Sequence, residues 1–179
     1  MVKQIIIAIV FCAFLPAQAT IPERKVEGNV ITSEPDPAVR IHLPKSVQYV
    51  GADRWVLYDI ADCELHAFVI ADSQKHVQRL YWAKPELKHT YDSPRHTNIG
   101  GMDFYVDTWV RRKDAEMRRG SDIEHILALI RAKGYTMPEG MMYVRLVHLL
   151  DEQKRKELMI IYASYVGGRN GRGWPGPRC

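Results

Sequence analysis

The sequence predicts an α+β domain, built from an antiparallel meander sheet of about six to seven strands with one amphipathic helix packed on one face. Two observations support this class. Short stretches that alternate apolar and polar residues, rich in β-branched and aromatic side chains, recur along the chain. A single segment, residues 121–133, instead has its apolar residues at helical spacing. Such a helix needs an apolar surface to cover, and one face of a sheet provides it.

The predicted strands follow one another closely, with polar or proline-containing connections. Residues 39–43 alternate in polarity and end at Pro44. Residues 54–60 and 64–71 are separated by three residues, which is typical of a hairpin. Further strands are predicted at residues 77–82, 102–110, 141–150 and 158–165.

The helix at residues 121–133 is the clearest local signal in the chain. Ser121 and Glu124 form a capping box, in which each side chain accepts a hydrogen bond from a free backbone N–H at the helix start. Gly134 follows where a left-handed residue ends a helix. The apolar stripe consists of Ile123, Ile126, Leu127 and Ile130.

The first 19 residues predict a secretory signal peptide. Lys3 provides a positive charge, residues 5–15 form an apolar run too short to span a bilayer, and a small-x-small cleavage site ends at Ala19. We therefore expect cleavage between Ala19 and Thr20, a periplasmic or extracellular location, and no transmembrane segment in the mature chain.

The rest of the chain is predicted to form one domain at residues 39–166. Residues 20–38 contain three prolines and scattered charges, which is typical of an extended N-terminal arm. Residues 167–179 are rich in glycine, proline and arginine, which predicts a disordered tail.

The basic charge belongs mainly to that tail. The formal net charge is +4, and one unit of it, Lys3, leaves with the signal peptide. The three tail arginines account for what remains, so residues 20–166 are formally neutral. A neutral domain argues against nucleic acid as a partner, because such binding depends on clustered basic contacts to phosphates.

The main candidate contact surface is an aromatic and acidic sheet face. Two predicted strands that flank the long loop at residues 84–101 carry paired aromatic residues, and two aspartates share a strand face with the second pair. Rigid aromatic rings beside carboxylates can form a platform for a sugar, a peptide or a protein partner, although ordinary sheet packing is the alternative. The candidate residues are Tyr81, Trp82, Tyr105, Trp109, Asp103 and Asp107.

The loop at residues 84–101 is a candidate metal site. It contains His89, Asp92 and His96, whose side chains are suitable ligands for zinc or a similar metal. Long loops inside a domain are often functional. The spacing matches no recurrent zinc signature, so a solvated polar loop is the alternative.

Arg118 and Arg119 form a candidate anion site just before the predicted helix. The free N–H groups at a helix start attract anions, and two arginines could clamp one there. Asp122 and Glu124 in the first turn would compete with an anionic ligand, so a solvated basic connection is the alternative.

Cys63 and Cys179 are the cysteines that remain after cleavage of the signal peptide. An oxidising compartment would allow them to form a disulfide bond. The position of Cys179 at the end of a flexible tail leaves that pairing open.

These observations favour an exported, non-enzymatic module that binds an unknown small ligand or a protein partner. One alternative is a secreted metal-dependent enzyme that uses His89, Asp92 and His96. Another is a structural component of the cell envelope. The chain has no G-x-S-x-G, no H-E-x-x-H, no phosphate-binding glycine loop and no dinucleotide fingerprint, so no cofactor is predicted.

Overall fold

The predicted α+β class is wrong, because the protein is mostly β. The computed structural model describes residues 23–34, 38–58, 61–87, 94–112, 119–152 and 156–166. Of these, 63% lie in strands and 9% in one helix. The prediction failed because several strands extend beyond the alternating stretches of sequence and because the N-terminal part forms a sheet of its own.

Within the described residues the chain forms ten strands and one helix. They are β1 (Lys25–Glu27), β2 (Val30–Ser33), β3 (Val39–His42), β4 (Gln48–Leu57), β5 (Ala61–Ala71), β6 (Val77–Leu87), β7 (His96–Ile99), β8 (Met102–Arg112), α1 (Asp122–Ala132), β9 (Gly140–Leu149) and β10 (Lys156–Tyr165).

The strands of the described segments form two antiparallel sheets. The small sheet has the order β1-β2-β3, and the large sheet has the order β4-β5-β6-β10-β9-β8-β7. The large sheet therefore consists of two meanders joined where β10 pairs with β6, with Ile161 opposite Trp82. A single meander was expected, but β7, the next strand along the chain after β6, lies at the far edge of the sheet.

The large sheet buries side chains on both faces around β5. Phe68 packs on one face with Ile31 of the small sheet. The alternate residues Leu65, Ala67 and Val69 face the opposite side and join the main core with α1. The Phe68 face of β5 also holds two buried polar side chains, Glu64 and His66.

The small sheet includes residues from the segment that was expected to be an extended arm. β1 and β2 pair with each other, and β2 pairs with β3. Ile31 is only 2% exposed. Burial of this side chain against the large sheet gives a short, proline-flanked segment a stable position.

The helix α1 lies where the sequence predicts a helix. The hydroxyl of Ser121 accepts a hydrogen bond from the backbone N–H of Glu124, and the Glu124 carboxylate accepts one from Gly120 N–H. Ile126 and Ile130 are buried against the large sheet. Among the residues described here, no helix has the length and apolar character needed to cross a membrane.

Candidate functional site

A cavity of about 290 Å³ lies beside α1, and we call it the α1 cavity. Its walls come from three separate parts of the chain. The helix contributes Ile123, Leu127 and Arg131, and the segment after it contributes residues 135–138. The sheet contributes Arg111, Arg112, Met141 and Tyr143.

The position of α1 creates the cavity. His125 of α1 stacks on Trp55 of β4, with ring centroids 4.1 Å apart and planes within 10°. Nδ1 of His125 also lies 2.8 Å from Oδ2 of Asp53. These contacts hold α1 against β4, and the cavity lies between the helix and residues of β8 and β9.

The segment after α1 is fixed to the turn between β5 and β6. The N–H of Thr136 donates to the Lys75 carbonyl, and the Thr136 carbonyl accepts from Val77 N–H, both at 2.9 Å. The Lys75 ammonium also donates to the Lys133 carbonyl at 3.2 Å. These bonds hold the outer wall of the α1 cavity in place.

An aromatic series runs from the core to the wall of the cavity. Trp82 is 2% exposed and contacts Tyr143 edge to face, with centroids 6.0 Å apart. Tyr143 stacks in turn on Trp109 at 5.2 Å, with the planes within 6°. The guanidinium of Arg145 lies 5.6 Å from the centre of the Trp109 ring. Stacked rings of this kind make a rigid wall.

The electrostatics of the wall involve Arg111. Burial raises the pKa of Tyr143, and the nearby positive charge of Arg111 acts in the opposite direction. Both residues line the α1 cavity.

The structure separates the six residues predicted as a contact surface. Tyr105 and Trp109 pack at the edge of the main core on the α1 side of the sheet. Trp82 is buried in that core, whereas Tyr81 lies on the opposite face with its ring 5.1 Å from Tyr162. Adjacent residues of a strand point to opposite faces, so Tyr81 and Trp82 cannot form one platform.

The two predicted aspartates have partners on neighbouring strands. Oδ2 of Asp107 accepts from Arg145 at 2.5 Å. Oδ2 of Asp103 lies 2.9 Å from Nδ1 of His96, whose ring also contacts Tyr105. These carboxylates support the local structure of the sheet face.

The predicted metal site is only partly within the described residues. His96 lies in β7 and contacts Asp103, whereas His89 and Asp92 are outside the described residues. Across the part of the chain that the structure describes, no three histidine, cysteine, aspartate or glutamate side chains are grouped so that they could hold a metal ion.

The predicted anion site and disulfide also remain predictions. Arg119 is exposed at the start of α1, and Arg118 lies outside the described residues. Cys63 is fully buried in β5, with its sulfur 3.5 Å from the Ala61 carbonyl, and Cys179 lies outside the described residues.

A buried polar network between the two sheets was not predicted. Oε1 of Glu64 lies 2.7 Å from Nε2 of His66, and the Glu64 carboxylate accepts backbone N–H bonds from Glu23 and Arg24. The Arg24 guanidinium is 3.3 Å away, and the Tyr49 hydroxyl is 3.3 Å from Nδ1 of His66. In the sequence, the signal for this network is the pair Glu64 and His66, two polar residues in an otherwise apolar strand.

The ionised form of Glu64 is favoured by this network. Burial alone would raise the pKa of this carboxyl. The hydrogen bonds from His66 and the two backbone N–H groups, together with the charge of Arg24, outweigh burial and lower the pKa to about 2. The network thus joins the start of β1 to β5 and has the character of a structural link.

No protein-family model, no curated protein and no solved structure matches this chain.

Proposed function

We propose that this chain is a binding module that takes a small ligand into the α1 cavity. The observation that carries the proposal is the cavity itself, about 290 Å³ of space between a helix and a sheet. Small-molecule sites are concave and mostly apolar, with a few polar groups, and their volumes begin near 300 Å³. The volume of the α1 cavity lies just below that lower limit.

The lining of the cavity supports this proposal. Ile123 and Leu127 of α1 and Met141 of β9 give it an apolar interior. Met137 adds a second methionine from the segment after the helix. Methionine side chains adapt to the shape of a ligand, so an apolar body would bury well there.

The walls of the cavity are also held in place without a ligand. Tyr143 is fixed by stacking on Trp109, and Thr136 is bonded to Lys75 and Val77. A site that is already ordered loses little conformational entropy when a ligand binds. This favours small-molecule binding at this position.

The test is a thermal-shift screen of the full chain against small carboxylic acids, phosphates, amides, sugars and short peptides. A ligand at a hundred times its dissociation constant stabilises the fold by about 2.7 kcal/mol, which raises the melting temperature by about 5–10 °C. We expect at least one compound in the panel to raise the melting temperature by this amount. A panel with no stabilising compound would count against the proposal.

A pair of tryptophan variants locates the site. Leu127→Trp fills the α1 cavity, whereas Ala128→Trp places the same ring on the exposed side of the helix. We expect the ligand-induced shift to disappear in Leu127→Trp and to persist in Ala128→Trp. Circular dichroism of both variants checks that they are folded. A shift that survives in a folded Leu127→Trp protein would place the ligand elsewhere.

We also propose that this binding takes place outside the cytoplasm, because of the signal peptide predicted at residues 1–19. N-terminal sequencing of the protein recovered from the exported fraction tests this. We expect Thr20 as the first residue, and an uncleaved cytoplasmic protein would contradict it.

A further inference from the structure

Among the described residues that line the α1 cavity, every charged residue is an arginine. Arg131 of α1 and two residues of β8, Arg111 and Arg112, border it. Adjacent residues of a strand point to opposite faces, so it is Arg111 that shares the cavity side of β8 with Trp109. None of the described lining residues is acidic. An apolar interior with a cationic border is complementary to a molecule that has an apolar body and one negative end.

Arg111 is partly buried, whereas Arg112 and Arg131 are exposed. Arg111 lies two residues from Trp109 in β8, so the two side chains share one face of the strand. Its charge acts on the buried Tyr143 hydroxyl. Arg111 and Tyr143 both line the α1 cavity, so an anion that contacts Arg111 would lie within it, where apolar residues screen ionic contacts less than water does.

Arg131 lies on the opposite wall, in the last turn of α1. The carbonyls of Ile130 and Arg131 already accept backbone N–H bonds from Lys133, Gly134 and Tyr135. The Arg131 guanidinium is thus not needed to cap the helix end. Its side chain is exposed at the cavity border and can turn toward an anion.

We infer that the ligand of the α1 cavity is an amphipathic oxyanion, a carboxylate or phosphate joined to an apolar body, with Arg111 and Arg131 holding the anionic group. This inference rests on the proposed function. A guanidinium donates two parallel hydrogen bonds to either oxyanion, which gives the cavity a preference for that end. The volume accommodates about ten non-hydrogen atoms at about 30 Å³ each.

The test compares two probes of equal size, octanoate and octanamide, by calorimetric titration of the full chain. They differ in charge but hardly in shape. We expect octanoate to bind about tenfold more tightly or better, since hydrogen bonds to a charged group are the stronger kind. Octyl phosphate is the third probe. Tighter binding of octyl phosphate than of octanoate supports the inference and identifies phosphate as the anionic group.

Three arginine variants test whether the preference for octanoate over octanamide arises in the α1 cavity. Arg111→Gln and Arg131→Gln should each reduce the octanoate preference at least threefold and leave octanamide binding unchanged. Arg40→Gln, in an exposed residue of β3 outside the cavity, should change neither. If Arg111→Gln does not fold, the exposed Arg131 still provides the measurement.

The outcomes separate this inference from the proposed function. Equal binding of octanoate and octanamide, both lost in Leu127→Trp, would overturn the inference and leave the binding module intact. An octanoate preference that persists in Arg131→Gln and Arg111→Gln would also overturn it. Failure of these probes and of the whole thermal-shift panel would overturn both.

Discussion

Oε1 of Glu64 lies 2.7 Å from Nε2 of His66, and both side chains are almost fully buried between the two sheets. A buried carboxylate is costly unless its oxygens are satisfied. Here two backbone N–H groups and the Arg24 guanidinium complete the set of partners. The contact therefore links the residues just before β1 to the large sheet. The strength of this link depends on the negative charge of Glu64.

We expect the free energy of unfolding to fall as the pH drops from about 5 to about 2. The folded state holds the pKa of Glu64 at about 2, below the value in an unfolded chain, so the unfolded state takes up the proton first. The stabilisation is present above the unfolded pKa and is lost as the pH falls through the folded pKa. Its size is about 3 kcal/mol, at about 1.4 kcal/mol for each pKa unit. Urea unfolding at a series of pH values measures this slope.

The Glu64→Gln variant isolates this contribution. It should be less stable than the wild type at neutral pH and lose less stability on acidification. Glu152→Gln, in an exposed glutamate, should keep the wild-type slope. A Glu64→Gln protein that loses stability as steeply as the wild type would show that other carboxyls cause the acid sensitivity.

Ile31→Ala should destabilise the protein by about 2–4 kcal/mol, as for other buried isoleucines. Ile31 is 2% exposed and packs in a cluster with Phe68 and Ala83 of the large sheet. Ile99→Ala is the control, because Ile99 is 46% exposed and its truncation should cost little. Denaturant unfolding measures both. If both variants lose equally little unfolding free energy, the small sheet does not form a common core with the large sheet.

Trp109→Ala should destabilise the fold by about 1–3 kcal/mol, less than truncation of a fully buried tryptophan. The variant loses the stack on Tyr143 and the contact with the Arg145 guanidinium. Trp109→Phe keeps a flat ring over Tyr143 and should lose less than half as much. Urea unfolding followed by circular dichroism gives the comparison, and equal losses in the two variants would argue against the stack as the source.

Local signals predicted the elements better than the architecture. α1 was identified because its cap, apolar stripe and terminal glycine all lie within fifteen residues. The pairing of β10 with β6 joins residues about eighty positions apart, and no local pattern reports it. The small sheet was missed for a similar reason, since β1 and β2 are short and depend on burial of Ile31 against distant residues.

The α1 cavity was not among the candidate sites that the sequence predicts. Strand alternation correctly grouped Tyr105 and Trp109 on one face, but combining Tyr81 with Trp82 ignored the same rule. The α1 cavity was missed because Arg111, Leu127 and Tyr143 come from segments that only the tertiary structure brings together. The number of residues between two segments in the sequence does not predict how far α1 lies from β8 in the fold.

Gly134→Ala should lower both stability and ligand affinity. Gly134 has φ +77°, and its N–H donates to the Arg131 carbonyl as the chain leaves α1. A Cβ there would lie 3.5 Å from the Lys75 ammonium, an ordinary contact, so the penalty is conformational and about 1–2 kcal/mol. Asparagine adopts the left-handed conformation more easily than alanine, so Gly134→Asn should lose less stability than Gly134→Ala.

Gly134 joins α1 to residues 135–138 of the cavity wall, so its replacement should affect ligand binding as well as stability. We expect both the melting temperature and the affinity measured by calorimetry to decrease in the order wild type, Gly134→Asn, Gly134→Ala. An alanine variant as stable as the asparagine variant would show that the left-handed turn is not required, and the segment after α1 would then be held by its hydrogen bonds, such as those of Thr136 with Lys75 and Val77.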